Sequence, residues 1–273
     1  MSKYNHPSKI VVAVISHKPY RVPEDSIYLP LHVGAALHPG LLPNWVQDST
    51  GDNISAKNSE YSELTGLYWL WKNVDVPYKG VVHYRRHFAT RNAMRRWFTP
   101  DRFDRIISGQ EVAELLQSYD ILVPTIRNYY IETVYSHYVH TIQDGANQLA
   151  RTREVIKDCE PNFLPAFDAV MSSRKAHMFN MLIMSQEKLD EYCSWLFPIL
   201  EQLEHRIDSN NYDVFNKRYP GRVSEMLMDV WLETKGYGYA ELPVLNTEPV
   251  NWWKKGTSFL MAKFRNRQYV KSF

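Results

Sequence analysis

Residues 9–16 read KIVVAVIS, an almost unbroken run of β-branched and small apolar side chains. A strand exposed on one face alternates polar with apolar residues. A run apolar at every position must be covered on both faces, which is the signature of a parallel strand inside an α/β sheet. Two later runs repeat the theme: residues 80–83 (GVVH) and residues 120–124 (DILVP). Between and after them, apolar residues recur at helical spacing. Leu64, Leu67, Tyr68 and Trp71 mark a helix in ELTGLYWLWKN, and a second is predicted over residues 101–118. The alternation predicts an α/β fold with a mostly parallel sheet flanked by helices.

The second half reads as mainly helical, over residues 138–157, 187–207 and 224–234, with Ser224 as the expected N-cap of the last helix. The apolar run at residues 177–184 (HMFNMLIM) predicts a late strand. Polar, proline-rich residues 17–30 and the turn-rich DSTGDNISAKN at 48–58 predict loops. The expected organisation is one domain over residues 1–250, with a nucleotide-binding half (1–130), a helical half (131–250), and a basic aromatic tail at 251–273.

At 273 residues with 44% hydrophobic content, the chain can bury a large core. A net charge of +2 gives no electrostatic footprint for nucleic acid. Two distant cysteines, Cys159 and Cys193, argue against a disulfide framework and for a reducing, cytoplasmic setting. No apolar run reaches the roughly 18 residues that span a bilayer. P-loop, GxGxxG, HExxH, CxxC and Gly-x-Ser-x-Gly patterns are all missing, which weakens kinase, dinucleotide oxidoreductase, zinc hydrolase and serine hydrolase readings.

The chemistry-bearing stretch is GVVHYRRHF, residues 80–88, which delivers His83, Tyr84, Arg85, Arg86 and His87 at a strand end. Ligands of open α/β sheets bind beyond the carboxyl ends of strands. Guanidinium forks match phosphate oxygens, so Arg85 and Arg86 suit a diphosphate. Surface ion pairing is the bland alternative. His17 and Lys18 occupy the end of the first strand in the same way.

Three longer stretches, SHKPYRVPEDSIYLPLHVGAA, TGDNISAKNSEYSELTGLYWLWKN and GVVHYRRHF, resemble successive blocks of a bacterial capsular and exopolysaccharide biosynthesis glycosyltransferase family. HMFNMLIM, LDEYCSWLFPILEQLE and SEMLMDVWL continue the resemblance. It implies a GT-A-like fold and inverting transfer of a hexosyl unit from a UDP-sugar to a growing surface polysaccharide. UDP-galactofuranose is one implied donor, and a lipid-linked glycan the implied acceptor. Enzymes of this fold commonly carry an Asp-x-Asp that holds a divalent metal on the diphosphate. No Asp-x-Asp occurs here, and His83-Tyr84-Arg85 stands in the slot. No metal ligand is assigned, while Mn²⁺ or Mg²⁺ stays open as a cofactor.

The resemblance places Glu225 at the position of the catalytic base. Complementing a helix dipole is its bland reading. Asp52 is the rival and Glu63 a third carboxylate, with turn formation and helix capping as their ordinary uses. His17, Lys18, Tyr20, Tyr28, Asp48 and Asn53 join His83, Tyr84, Arg85 and Arg86 as donor-binding candidates. His137, His140, Asp144 and Asn180 are acceptor-side candidates, against a reading as satisfied structural groups. The tail at 252–273, with six Lys or Arg and no acid, suits docking on an anionic inner-membrane surface. A nucleotide-sugar or pyrophosphate hydrolase and a non-catalytic carbohydrate-binding protein remain the rival classes.

Overall fold

The computed structural model describes Tyr4 and residues 6–248. The tail at 251–273 lies outside the described residues. The strands are β1 (Ile10–Ser16), β2 (Tyr28–His32), β3 (Val46–Gln47), β4 (Tyr78–His83), β5 (Arg86–Phe88), β6 (Ile121–Pro124), β7 (Arg127–Asn128), β8 (Lys175–Ala176), β9 (Leu182–Ser185), β10 (Ala240–Leu242) and β11 (Val244–Asn246). The helices are α1 (Asn58–Tyr61), α2 (Leu64–Asn73), α3 (Ala93–Phe98), α4 (Gly109–Leu115), α5 (Val134–Thr141), α6 (Gly145–Cys159), α7 (Leu164–Ser172), α8 (Gln186–Glu204) and α9 (Tyr219–Lys235).

The main sheet runs β10-β6-β9-β4-β1-β2-β3, with β5 and β11 branching from β4. β1 pairs in parallel with both β2 and β4, and β6 pairs in parallel with β10. One late strand, β9, is antiparallel to β4 and β6. β9 therefore inserts a piece of the second half into the middle of the sheet. Gly80 is needed there, because a Cβ would lie 2.5 Å from the Leu182 carbonyl oxygen.

The all-apolar β1 is buried at every position. Its side chains alternate across the sheet. Val11, Ala13 and Ile15 pack with residues of α2, α8 and α9 in one core, while Val12 and Val14 pack with Val82, Phe88, Ile107 and Val112 in the other. The sequence reading of an α/β fold with a mostly parallel sheet between helical layers is what the chain adopts.

Several boundaries differ. Residues 101–118 are not one helix, because Ser108 starts α4 with a capping box to Glu111. Residues 138–157 divide into α5 and α6 at Asp144, which has a left-handed backbone. The strand expected at 177–184 begins only at Leu182, since Phe179 and Asn180 both have positive φ, 84° and 49°. α9 begins at Tyr219, so Ser224 is an interior residue rather than an N-cap. β2 occupies the end of the segment read as a loop.

Candidate active site

β1 and β4 run in parallel and end together, with Ile15 beside His83. Their tips carry the cationic set. The Tyr84 ring is buried and acts as its floor. His17 meets this ring edge-on at 5.5 Å and Tyr20 at 5.1 Å. Lys18 Nζ and the Arg85 guanidinium each lie 5.1 Å from its centroid. Arg85 also reaches Glu248 Oε2 at 3.6 Å, both side chains being about half exposed at 47%. Burial of the His17 ring lowers its pKa, and the neighbouring charges of Lys18, Arg218 and Arg85 lower it further. An imidazole disfavoured as a cation by surrounding cations marks a surface poised for an anion.

His83 is otherwise engaged. Its Nε2 bonds the Phe179 carbonyl oxygen at 2.6 Å, which fixes the loop of positive-φ residues. Two successive non-glycine residues in this region are costly and persist only when surroundings hold them. Here the holding is visible. The Asn180 side-chain amide donates to Glu63 Oε1 at 2.8 Å and to the Gly221 carbonyl at 2.8 Å, and its oxygen accepts from Ser224 Oγ at 2.9 Å. The loop thereby locks the start of α2 to the second turn of α9, and Glu63 and Glu225 are brought together.

Glu225 is half-buried on α9. Burial raises its pKa first, and the adjacent Glu63 charge adds to this. A hydrogen bond from the Phe179 N–H and the charges of Arg86 and Arg222 pull the other way, and the result is pushed up to about 7. A carboxyl group poised near neutrality has the property a general base needs. Dipole complementation does not account for it, since Glu225 lies beyond the first turn of a helix that begins at Tyr219. Arg86 links the two poles, with its guanidinium over the Phe179 ring at 4.6 Å and its charge felt by both Glu225 and Arg85.

The other candidates are placed as follows. Tyr28 is a core residue whose hydroxyl donates to the Ile107 carbonyl at 2.7 Å, so it does not stack on a ligand. Asp48 is fully buried and accepts from the Gly34 and Ala35 amides at 3.0 Å each, from Thr65 Oγ1 at 2.7 Å and from Ser55 Oγ. It shapes the chain after β2 rather than facing a sugar. Asn53 closes its own turn through the Ser49 and Gly51 carbonyls. Asp52 is exposed beside the C-terminal end of α2, where it meets the Tyr68 hydroxyl at 3.2 Å and Asn73. That places it at the opposite end of α2 from Glu63 and apart from the converging groups. Asn180 spends its amide hydrogens on Glu63 and the Gly221 carbonyl, tying α2 to α9 instead of offering itself to an acceptor.

His137 and His140 both contact Glu132, at 2.8 and 3.0 Å. Asp144 is separate from them, bonded to Asn147 and the Tyr212 hydroxyl. The Tyr129 ring lies 4.5 Å from that of His137, tilted by 41°, and its hydroxyl is pushed up to about 12 mainly by burial, with the charges of Glu225, Asp229 and Glu132 adding to this. Tyr129 thus lies against the histidine cluster. Sequence reasoning missed Tyr129, Glu132, Arg218 and Arg222. An arginine on each side of a Tyr-Pro-Gly helix start (KRYPGR) was the available signal for the last two.

The stretch that the resemblance sets against a metal-binding Asp-x-Asp offers no carboxylate, being His83, Tyr84 and Arg85. At this strand tip, His83 Nε2 is already bonded to the Phe179 carbonyl. Among the described residues, no group of three or more His, Cys, Asp or Glu is arranged to hold a metal ion. Among the described residues, too, no helix is long and apolar enough to cross a membrane.

Among solved structures, the chain is similar to that of the WbbM bifunctional glycosyltransferase in its apo form, with a TM-score of 0.81 and 26% identity. The likeness covers 88% of this chain and 45% of that one, so this chain spans less than half the length of that protein. A comparison with curated proteins finds no match. The sequence profile that fits residues 9–236 is described as "Domain of unknown function (DUF4422)", and the chain belongs to that family.

Proposed function

We propose that this chain is a glycosyltransferase of polysaccharide synthesis, transferring a hexosyl unit from a UDP-sugar with inversion. One observation carries the reading: a carboxyl group tuned to about 7 stands beside a cationic strand-tip surface, in a chain similar to a glycosyltransferase structure. His17, Lys18, Arg85 and Arg218 would receive the donor diphosphate, with Arg86 between it and the carboxylates. The acceptor hydroxyl gives its proton to Glu225 as its oxygen attacks the anomeric carbon. The bond from that carbon to the diphosphate oxygen breaks, and UDP leaves. Negative charge grows on the departing phosphate during this step, where Arg85 stabilises it. This is work that a metal performs in relatives bearing Asp-x-Asp.

Glu63 is a positioning residue, raising the proton affinity of Glu225. Tyr129 and the Glu132–His137–His140 cluster line the acceptor side. UDP-galactofuranose as donor, a lipid-linked glycan as acceptor, and membrane contact through residues 252–273 belong to this proposal as extensions of the family resemblance.

The test is calorimetry of the full chain with UDP, UDP-sugars and ADP-sugars, followed by transfer assays with and without excess chelator. Saturable binding of UDP-sugars, and turnover that survives chelation, are expected. Complete loss in chelator, restored by Mn²⁺ or Mg²⁺, overturns the metal-free mechanism. Sugar binding without nucleotide binding overturns the transferase.

A further inference from the structure

α3 is built the wrong way round for a core helix. None of its six residues is buried. Met94, Trp97 and Phe98 are 68%, 76% and 74% exposed. Polar contacts alone hold the helix in place. Asn92 caps it by accepting the Arg95 amide at 3.0 Å, the Arg95 Nε donates to the Asp104 carbonyl at 2.6 Å, and Arg96 Nη1 donates to the Thr90 carbonyl at 3.0 Å. The large apolar side chains play no part in this anchoring and face outward.

The surrounding charge is one-sided. Residues 85–105 hold seven arginines and two aspartates. Asp101 is taken by Arg21 at 2.7 Å. Glu111 pairs with Arg95 at 3.5 Å while also accepting from Ser108 and Thr90, and the segment stays net positive. Exposed aromatic and methionine side chains framed by Arg91, Arg95 and Arg96 are what an anionic interface selects, since the rings enter the headgroup boundary while guanidiniums pair with lipid phosphates. A bilayer yields around each inserted ring, so a few exposed apolar side chains framed by cations suit it.

We propose that α3, through Met94, Trp97 and Phe98 with the flanking arginines, is a docking surface for an anionic lipid bilayer. These residues lie in a different part of the sequence from the tail at 252–273, and the proposal does not depend on the transferase reading.

The experiment is co-sedimentation of the full chain with vesicles of phosphatidylcholine alone or with about 30% phosphatidylglycerol. Three proteins are compared: the parent, Trp97→Ser/Phe98→Ser, and a chain with the six Lys and Arg of residues 252–273 changed to Ser. Both substituted residues of the double variant are exposed, so its circular dichroism and melting temperature should match the parent. The expected result is binding to anionic vesicles only, with the partition constant falling at least about tenfold in the Trp97→Ser/Phe98→Ser chain. The tail variant should retain measurable binding to the anionic vesicles. Unchanged partitioning of the double variant overturns the proposal, as does equal binding to neutral vesicles. A second copy as the true occupant would appear as self-association in sedimentation velocity that the same substitutions abolish, and this too overturns it.

Discussion

Asp48 and Glu225 are both carboxylates held within the protein near the end of a sheet, yet the structure treats them differently. Asp48 is fully buried and surrounded by four donors, two amides and two hydroxyls. Glu225 has one backbone donor, a second carboxylate beside it and two arginines, and its pKa is pushed up to about 7. A buried carboxylate saturated with hydrogen bonds is a structural fixture, whereas one under-supplied with donors and crowded by a like charge becomes a proton acceptor at neutral pH. The difference lies in what each faces, not in residue type.

The largest effect should come from Glu225→Gln. General-base catalysis typically supplies about 10²–10⁴-fold, so turnover should fall by that order while donor affinity holds. Stability should move the other way. The folded pKa of about 7 lies above the ordinary 4.5, so the native state holds the proton across that window and loses stability as pH rises through it. Glutamine removes this loss, and the variant should melt higher than the parent above pH 7. For the parent, kcat/KM should decline as pH falls below about 7.

Asp48→Asn should do the opposite. It turns an amide towards donors that need an acceptor, at a cost of roughly 3 kcal/mol in denaturant unfolding. Any surviving folded protein should keep near-normal turnover. If both substitutions destabilise equally, the contrast between the two carboxylates fails.

The cationic pole sharpens the comparison further. Arg85→Ala removes a charge-assisted phosphate contact, so donor affinity should drop about 10- to 100-fold by calorimetry, with the fold intact because the side chain is half exposed.

The smallest effect concerns His177, buried with Asp229 at Nδ1 and Glu241 at 3.4 Å from Nε2. Burial lowers its pKa, but the two carboxylates outweigh it and the net shift is upward. The imidazolium therefore adds stability that is complete below the unfolded value of about 6.5 and is lost as pH rises through the higher folded value. His177→Gln should flatten that part of the stability profile, seen as a shift of a few degrees in melting temperature at pH 6 and less at pH 8.

Legibility in the sequence followed how local each cause was. β1 is apolar at every position, and its burial needs no other information. The cationic tip was readable because Arg85 and Arg86 are adjacent in the chain and end a strand. Glu225 entered through family resemblance, and its tuning depends on Glu63, the N-cap of another helix joined through Asn180. Asn180 itself looked like a ligand contact, as a polar residue in an apolar run does; its partners Glu63, Gly221 and Ser224 come from distant segments. Asp48 misled for the same reason, since three of its four donors, Gly34, Ala35 and Thr65, lie more than ten residues away. Helix boundaries at Ser108 and Asp144 were blurred because apolar spacing continues across a break made by backbone geometry.

Crystallography of the full chain with an intact UDP-sugar addresses the central assignment most directly. Phosphate oxygens are expected at about 3 Å from the Arg85 guanidinium, with Lys18 and His17 on the same anion and the anomeric carbon turned towards Glu225. A diphosphate seated elsewhere, with Arg85 still on Glu248 and Glu225 facing no sugar, would contradict it.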